Sequence, residues 1–417
     1  MPFTRINDFD RRLSPSLSAI VRLAGARAQQ LGFRLYLVGG IVRDLLLGRS
    51  NLDIDLTVEG DALALAQSLA HNTDARLTSH RHFGTARLKY PGFILDMAMA
   101  RKEMYPHPGA LPTVRSGGIK EDLFRRDFTV NAMAVSLNPD SYGALIDPYG
   151  GKSDLEAGAI RVLHPGSFID DATRIWRAIR YEQRLGFHIE RTTLRQLRRS
   201  LAMLDTISAD RLRREFERAL DEETPDKVLR RAWRLGVLQK LHPSLRADRW
   251  LSTKYRLARN TAVPPLLRTI YTALLVSRLN PGECEAFLSR LNFPSHTARI
   301  VRDTVRLRQL SIELRAPRLK PSRIYKLVND YDGVAVNIAA LATNSSTERN
   351  RLRLYLDRLR HIQVSLGGRD LQMLGVPAGP PVGLVLRKLL TARLDGKLKS
   401  RKDEEDFVRR YFAKLTP

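Results

Sequence analysis

Two aspartates, Asp53 and Asp55, alternate with apolar residues at positions 52, 54, 56 and 58. This alternation predicts a strand with one buried face and both carboxylates on the other face. Side chains two residues apart on a strand point the same way and are about 6.6–6.8 Å apart at their Cα atoms. Such carboxylates can converge on a divalent metal ion, and Mg²⁺ prefers oxygen ligands of this kind. Alone, however, the pair could simply solvate a sheet edge.

A glycine turn precedes the aspartates. The apolar run 35–38 stops at Gly39 and Gly40, which is typical of a buried strand that ends in a turn, and residues 41–47 then predict a short helix. Free N–H groups at a helix start bind anions, and Arg43 lies one turn into the helix, within reach of a phosphate oxygen. The alternative is a tight packing turn. A phosphate site facing a metal site favours nucleotidyl transfer.

A third acid, Asp96, lies inside another predicted strand. Residues 85–90 and 93–99 read as a hairpin joined by Pro91 and Gly92. A carboxylate within a purely structural strand is unexpected, because an unpaired buried charge is costly. Asp96 is therefore a candidate third catalytic carboxylate, or else the partner of a nearby arginine.

Arg125, Arg126, Asp127 and Asn131 form a second polar group. Residues 121–137 predict a helix, on which Asn131 would lie above Asp127 on one face. Two arginines beside an aspartate can hold a triphosphate and a ribose hydroxyl. The alternative is a solvated helix face with an internal ion pair.

Asp171 and Arg174 could read a base. On one predicted helix they share a face, which Arg177 and Arg180 extend. Cytosine and adenine both present an amino donor beside a ring-nitrogen acceptor, so a carboxylate and an arginine match both bases. Uracil and guanine present the inverse pattern, and a hydrogen-bonding site rejects such a mismatch. The alternative is an ordinary amphipathic helix with salt links.

The elements around these residues predict an α+β chain. A helix at 14–31 and one capped by Asp61 accompany the strands, whereas 101–120 reads as a long loop. Beyond about residue 165 apolar residues recur at helical spacing with arginine between them. Residues 317–322 read as a linker and 375–383 as a rigid turn. We predict an α/β head at 1–146, a helical neck at 147–226, a helical body at 227–315 and a helical tail at 316–417.

The charge suggests a polyanionic partner. The 417 residues contain 70 Lys and Arg against 44 Asp and Glu, giving a net charge of +26. Such an excess within folded segments favours nucleic acid; the alternative is a lineage that uses much arginine. One cysteine, Cys284, excludes an intramolecular disulfide, and no secretory signal or membrane span is expected, so we expect a cytoplasmic protein. The nine histidines, including His80 and His82, show no metal spacing.

Together these stretches resemble the class II tRNA nucleotidyltransferases, which comprise CCA-adding, A-adding and CC-adding enzymes and bacterial poly(A) polymerases. The matching segments follow the family's order over roughly residues 35–220, with a further likeness at 367–396. They read LVGGIVRDLLLG, DIDL, RRDFTVNAMA, IDPYGGKSDLEAGAIRVLHP, DDATRIWRAIRYEQRLGF and SADRLRREFERAL. Asp170 stands where the motif more often has glutamate.

The resemblance implies an enzyme that uses CTP and ATP to extend the 3′ acceptor end of tRNA, as a monomer or homodimer. Asp53 and Asp55 would bind Mg²⁺, and Asp171 and Arg174 would read the base. Gly40, Arg43, Arg126, Arg177 and Arg180 would contact the incoming nucleotide.

The 101–120 loop looks like the family's flexible loop. CC-adding relatives have this loop shortened, so its presence favours addition of A. An A-adding enzyme that only completes CC-ending tRNA, a poly(A) polymerase and a catalytically silent RNA-binding protein are the alternatives.

Overall fold

The computed structural model describes residues 6, 9–49, 53–80, 84–261 and 264–412. Leu52 of the predicted strand and His82 lie outside these residues. The chain forms two compact units. The first runs to Thr224 and includes Arg234–Lys240, and the second comprises Pro225–Trp233 and the chain from Leu241 onward. The finer division into neck, body and tail stays a prediction.

Eleven strands occur in the described residues, all in the first unit. They are β1 (Arg34–Val38), β2 (Asp53–Glu59), β3 (Arg76–His80), β4 (Thr85–Tyr90), β5 (Phe93–Met99), β6 (Arg101–Met104), β7 (Thr113–Ser116), β8 (Ala134–Ser136), β9 (Leu145–Ile146), β10 (Ala159–Ile160) and β11 (His188–Ile189).

Helices alternate with these strands as far as β11, and the described chain after β11 is helical apart from turns and loops. In the first unit they are α1 (Pro15–Gln30), α2 (Gly40–Leu46), α3 (Ala62–His71), α4 (Ile119–Phe124), α5 (Gly151–Glu156), α6 (Ser167–Asp170), α7 (Thr173–Leu185), α8 (Arg191–Arg199) and α9 (Ala209–Leu220). The rest are α10 (Pro225–Arg234), α11 (Arg249–Thr261), α12 (Pro264–Val276), α13 (Pro281–Arg290), α14 (Ser295–Gln309), α15 (Ser311–Arg315), α16 (Pro321–Val328), α17 (Gly333–Ala342), α18 (Ser346–Asp357), α19 (Gly368–Met373), α20 (Pro380–Leu394) and α21 (Arg401–Phe412). This confirms the predicted α+β class.

Seven strands form one mixed sheet in the order β3-β4-β5-β2-β1-β8-β9. Within the described strands of this sheet, β2 and β5 are the parallel pair, and their register sets Asp55 opposite Asp96. The apolar side chains of β1 and β2, such as Leu35 and Ile54, are buried in the core. The alternation of β2 therefore leaves its aspartates on the open face, as predicted.

Several predicted elements are confirmed. Ser14 caps α1, Asp61 caps α3 through the N–H groups of the first turn, and the β4–β5 hairpin has the predicted bounds. The linker at 317–322 overlaps the connection between α15 and α16, and the turn at 375–383 overlaps that between α19 and α20. No helix among the described residues has the length and apolarity that crossing a bilayer requires.

The helix predicted over 121–137 is wrong beyond Phe124. The chain turns after α4, makes one 3-10 turn at Thr129–Asn131 and enters β8. β8 pairs with β1, with Tyr36 opposite Ser136. Residues 132–137 are apolar apart from Ser136, and all six are buried, so the sheet can bury them on both faces, and this tertiary packing overrides local helix preference.

The loop predicted at 101–120 is also partly regular. β6 and β7 form a separate two-stranded antiparallel sheet, with Arg101 opposite Ser116 and Met104 opposite Thr113. The prolines and glycines that indicated a loop lie mostly at the tip and base of this hairpin. The prolines and glycines correctly indicated turns, but they gave no sign of the two short strands, β6 and β7.

Candidate active site

One cavity of about 590 Å³ brings together most of the predicted site residues. Of the fourteen, only Asp96 and Arg180 are missing from its lining. The predicted residues in the lining are Gly39, Gly40, Arg43, Asp53, Asp55, Arg125, Arg126, Asp127, Asn131, Asp171, Arg174 and Arg177. They come from α2, β2, the turn after α4 and the start of α7, so the fold gathers segments far apart in sequence.

The glycine turn is shaped by a close contact. Gly39 has φ +79° and precedes α2, which begins at Gly40. A Cβ at position 39 would lie 2.6 Å from Nη1 of Arg126 and 3.9 Å from Oδ2 of Asp55. The backbone conformation therefore favours glycine, and the absence of a Cβ leaves room for Arg126 in its present position. The turn, the guanidinium and the carboxylate converge at one point.

The carboxylate of Asp55 is poised to accept a cation. It accepts no hydrogen bond from the residues that the structure describes. Its pKa is raised above the ordinary value, first by burial of the carboxylate and then by the charges of Asp96 and Asp53, against the opposing effect of Arg126. A divalent ion would relieve this repulsion.

The two carboxylates of β2 thus supply the oxygen ligands that a divalent metal ion prefers. The described residues hold no group of three or more His, Cys, Asp or Glu arranged for a metal. Carboxylates from Asp53 and Asp55 completed by substrate oxygens would suit Mg²⁺, which commonly keeps only one or two protein ligands.

Asp96 is placed beside the pair but is engaged elsewhere. Arg87 donates to both of its oxygens, at 2.7 and 2.8 Å, across the β4–β5 pairing. Roughly half of each side chain is exposed (58% and 43%), so the pair contributes little stability. The arginine partner considered from sequence is therefore present. A catalytic role for Asp96 stays a prediction.

A second cavity of about 600 Å³ adjoins the first on the open face of the sheet. Asp96, Arg87 and Thr78 stand in one row with Asp55 across β2, β5, β4 and β3. Asp55, Arg125 and Arg126 line both cavities. The candidate metal site thus lies where the two spaces meet.

Asp127 organises the arginines of the first cavity. Arg43 donates to Asn131 Oδ1 at 2.7 Å, Asn131 donates to Asp127 Oδ1 at 2.9 Å, and Arg177 approaches Asp127 Oδ2 at 2.6 Å. The predicted contact between Asn131 and Asp127 is present, although a turn rather than a helix supplies it. The chain of contacts links α2 to α7.

The charges of this network reinforce one another. Burial alone would raise the pKa of Asp127, but the charge of Arg177 and the hydrogen bonds from Asn131 and Arg177 lower it below the ordinary value. The charge of Asp127 in turn raises the pKa of Arg177. Both groups are therefore charged at neutral pH.

Asp122, which sequence reasoning missed, orients the other two arginines. Its fully buried carboxylate accepts from Arg125 at 2.8 Å and from Arg126 at 3.1 Å. Arg125 also reaches Glu103 of β6 at 3.1 Å, which ties the hairpin to the site. The i,i+3 and i,i+4 spacing of Asp122 from the arginines was a usable signal.

The helix predicted to carry both Asp171 and Arg174 is interrupted. α6 ends at Asp170, Asp171 is extended with φ −141°, and α7 begins at Thr173. Asp171 Oδ1 accepts from the N–H and hydroxyl of Thr173, as aspartate commonly does at a helix start. Asp171 and Arg174 still line one cavity, as predicted, but they do not lie on one continuous helix.

Each member of this pair keeps hydrogen-bonding capacity. All bonds that Asp171 accepts from described residues fall on Oδ1, including one from Arg211 at 2.8 Å, so Oδ2 can accept another donor. Arg174 is held by Ser167 Oγ at 2.6 Å and by the carbonyl of Arg125 at 2.7 Å. A guanidinium has five N–H groups, and those left over remain available.

Arg180 is absent from the cavity lining. It donates to Glu215 at 3.1 Å and Glu222 at 2.9 Å, and only 12% of its side chain is exposed. Glu215 does line the cavity. Arg180 thus sits one layer behind the surface, and direct contact with a nucleotide stays a prediction that this position does not favour.

Several cavity residues escaped sequence reasoning. Tyr181 lies within 5.3 to 5.7 Å of the guanidiniums of Arg43, Arg177 and Arg184. The spacing of 177, 181 and 184 on one helix face could have indicated this group. Three more of them, Arg211, Glu215 and Arg218, come from α9, and no local pattern connects that helix to the turn at Gly39.

Two segments of this chain match known protein families. Residues 35–161 match the family described as Poly A polymerase head domain, and residues 186–248 match the probable RNA and SrmB-binding site of polymerase A. The A-adding tRNA nucleotidyltransferase of Halalkalibacterium halodurans is 31% identical over 403 residues, covering 95% of this chain and 93% of that protein. The chain belongs to the class II tRNA nucleotidyltransferases. Enzymes of this family generally use a divalent metal.

Other members of the family extend the comparison. The A-adding enzyme of Geobacter sulfurreducens is 37% identical over 95% of this chain, and the CC-adding enzyme of Deinococcus radiodurans is 30% identical over 98% of this chain and 93% of that protein. The chain spans 47% of the Geobacter protein and 41% of an A-adding relative from Aquifex aeolicus. It therefore covers less than half the length of these two relatives.

Solved structures of this family agree over the whole chain. An apo form of a CCA-adding enzyme superposes with a TM-score of 0.84 at 32% identity and covers 99% of this chain and 100% of that one. The Thermotoga maritima CCA-adding enzyme complexed with tRNA gives a TM-score of 0.75 at 32% identity, with each chain fully covered. Complexes of a CCA-adding enzyme with ATP and with CTP give 0.81 and 0.80.

Proposed function

We propose that this chain is a template-independent tRNA nucleotidyltransferase. It transfers the nucleotidyl group of CTP, ATP or both to the 3′ end of tRNA in CCA synthesis or repair and releases pyrophosphate. One observation carries the proposal: Asp55 and Arg126 line both adjoining cavities. A reaction that joins two substrates requires two sites that share the reacting centre, and a pure RNA-binding protein has no use for carboxylates there.

The first cavity suits the nucleoside triphosphate. The turn at Gly39 and Gly40 opens onto it at the start of α2, and Arg43 and Arg177 supply guanidiniums for phosphate oxygens. The second cavity, on the open face of the sheet, suits the terminal nucleotide of the RNA. The RNA 3′-hydroxyl oxygen then attacks the α-phosphorus in line, and the bond to the pyrophosphate oxygen breaks.

Asp53 and Asp55 would hold Mg²⁺ in this proposal. Bound there, the ion would supply stabilisation of the attacking and leaving oxygens and would lower the pKa of the hydroxyl. The chain's own arginines would orient the triphosphate and offset the charge that gathers on the leaving pyrophosphate. Asp96 would act as a third carboxylate beside the RNA end once Arg87 turns to a phosphate.

Asp171 and Arg174 would select the base. The unused Oδ2 of Asp171 can accept from the exocyclic amino group of cytosine or adenine, and Arg174 can donate to the ring nitrogen. Uracil and guanine would set donor against donor and acceptor against acceptor. The site would therefore discriminate strongly against UTP and GTP.

A second candidate, addition of A alone, is favoured by the names of the relatives. The Geobacter and Halalkalibacterium proteins are A-adding enzymes, although the Deinococcus relative is CC-adding and the superposed structures are CCA-adding enzymes. The β6–β7 hairpin, tied to the site through Glu103 and Arg125, supports competence for A. Poly(A) polymerase activity is a further outcome to test.

The test supplies CTP or ATP separately to tRNA that lacks the CCA end, ends in CC, or is complete, and sizes the products. Extension of the first tRNA with both nucleotides supports full CCA addition, whereas extension of CC-ending tRNA alone supports A addition. Long A tails would support the polymerase. The Asp53→Ala variant should lose incorporation yet bind tRNA. Turnover by that variant would refute the metal assignment.

We further propose that the protein acts in the cytoplasm, where its tRNA and nucleotide substrates are, as a monomer or homodimer. Light scattering during size-exclusion chromatography would separate the two assemblies, and fractionation of cells that express the full protein would test the location. A larger assembly, or recovery with the membrane fraction, would contradict the proposal.

A further inference from the structure

The second unit contains a cavity of about 290 Å³ that lies outside the candidate active site. Trp250 of α11, Arg308 of α14 and Glu348 of α18 contribute to its lining, so several helices surround it. Arg315 and Asn344 lie at its exposed rim. We call it the Arg308 cavity.

Positive groups crowd around the indole of Trp250. The guanidinium of Arg278 lies 4.5 Å from the ring centroid, and the cations of Lys254 and Arg308 each lie 5.8 Å from it. The ring quadrupole attracts each cation, which holds them together despite their mutual repulsion. Such a cluster is ordinarily accompanied by carboxylates.

Only part of this charge is neutralised. Asp248 pairs with Arg278 at 2.7 Å, and Glu348 pairs with Arg315 at 2.8 Å. Arg308 is exposed, and its guanidinium forms no ion pair or hydrogen bond with any residue that the structure describes. The cluster therefore holds more cations than anions.

Lys254 is the second uncompensated cation. It is 5% exposed, and its ammonium donates to the carbonyl of Thr343 at 2.9 Å but contacts no carboxylate in the described part of the chain. Its pKa is lowered, first by burial and then by the charges of Arg349 and Arg308. Two of its three N–H donors have no protein acceptor there. An anion nearby would offset this cost.

We infer that the Arg308 cavity binds a phosphate group, with Arg308 as its principal ligand and Lys254, which shares the indole of Trp250 with Arg308, adding positive charge from outside the lining. The hydroxyls of Ser277 and Thr304 already donate to backbone carbonyls, so the donors that remain are mainly cationic. This suits an anion better than a neutral sugar or base. Guanidiniums match the oxygens of phosphate in geometry.

The phosphate can come from an RNA backbone or from a free phosphate ion, and two measurements separate these sources. The first titrates tRNA lacking its CCA end into wild type, Arg308→Ala and Arg308→Lys over a range of salt concentrations. Arg308→Ala should bind about tenfold more weakly and lose about one unit of salt slope, with partial rescue by lysine. Arg306→Ala is the control for charge, because Arg306 is exposed like Arg308 and lies on the same helix but does not line the cavity.

The second measurement compares thermal unfolding in inorganic phosphate with unfolding in sodium chloride of equal ionic strength. Phosphate should stabilise wild type and Arg306→Ala more than Arg308→Ala. A phosphate effect without an RNA effect would assign the site to free phosphate and support the inference. Equal losses in the Arg306 and Arg308 variants, or no loss in either measurement, would overturn it.

The RNA measurement rests on the proposed function, whereas the phosphate measurement does not. Arg308 lies in the second unit, whereas the carboxylates of β2 lie in the first. Nucleotide incorporation by the wild type can therefore be measured separately from the tRNA titration and from the thermal unfolding. Absence of incorporation would refute the proposed function and leave the phosphate result standing.

Discussion

Replacing Asp127 with asparagine tests the idea that one buried carboxylate organises the nucleotide-binding arginines. Asp127 is 7% exposed, whereas 31% of the Arg177 side chain remains accessible to water. Asparagine keeps the shape and can still accept one bond, but it removes the charge that faces Arg177. Breaking a fully buried ion pair costs about 3–5 kcal/mol. Because water can reach Arg177, we expect about 2–3 kcal/mol.

For a unit of this size that loss should lower Tm by about 5–10 °C. The chain from Arg43 through Asn131 to Arg177 should also lose its orientation, so KM for the nucleotide should rise about tenfold while tRNA affinity is unchanged. Differential scanning fluorimetry and single-nucleotide incorporation measure the two effects. Asp140→Asn is the control, because it removes an exposed Asp–Arg pair outside the cavity lining and should change neither.

The pH dependence follows from the lowered pKa of Asp127. A carboxyl whose folded pKa lies below its unfolded value of about 3.8 stabilises the fold above that value and loses this contribution as the pH falls through the folded pKa. The gap in stability between wild type and Asp127→Asn should thus be constant above about pH 5 and shrink below pH 4. A Tm unchanged at neutral pH, or a gap that grows in acid, would refute the reasoning.

Two further substitutions probe the centre of the site. Gly39→Ala should lower incorporation, because its Cβ would lie 2.6 Å from Nη1 of Arg126 and would displace that guanidinium, whereas Gly48→Ala also has a positive φ but has open space and should remain active. Equal loss in both would mean that backbone strain alone is responsible. If Asp96 is a third catalytic acid, Asp96→Asn should reduce kcat at least 100-fold, about 2.7 kcal/mol, while Arg87→Ala reduces it far less. If both variants reduce kcat only slightly, Asp96 and Arg87 form an exposed salt bridge without a catalytic role.

The sequence predicted the carboxylate strand well because its signal is local. Alternation with period two needs only the burial of one face, and helices such as α3 pack against β2 and supply that burial, while β1 and β5 pair with its edges. The helix predicted at 121–137 failed because residues 132–137 acquire their conformation by pairing with β1, a strand about one hundred residues earlier. No window of sequence contains that partner.

The break at Asp171 is a different kind of error. Aspartate is favoured at helix starts, and Thr173 two residues on offers the N–H that it caps. The pattern was consistent with a break, but the apolar spacing of 175, 176 and 179 extended the predicted helix too far back. Local hydrogen bonding by a short side chain decided between two readings that hydrophobic periodicity could not separate.

The protein partners of the cavity arginines were not predicted from the sequence. Sequence reasoning assigned these arginines to substrate, whereas each guanidinium has a protein partner at one edge: Asp122 for Arg125 and Arg126, Asp127 for Arg177, and Ser167 for Arg174. These contacts fix the orientation of the guanidiniums in the free protein. Less side-chain entropy is therefore lost when a nucleotide binds. A cavity with this many cations therefore needs its buried acids. Removing an acid should weaken nucleotide binding even though it makes the cavity more positive.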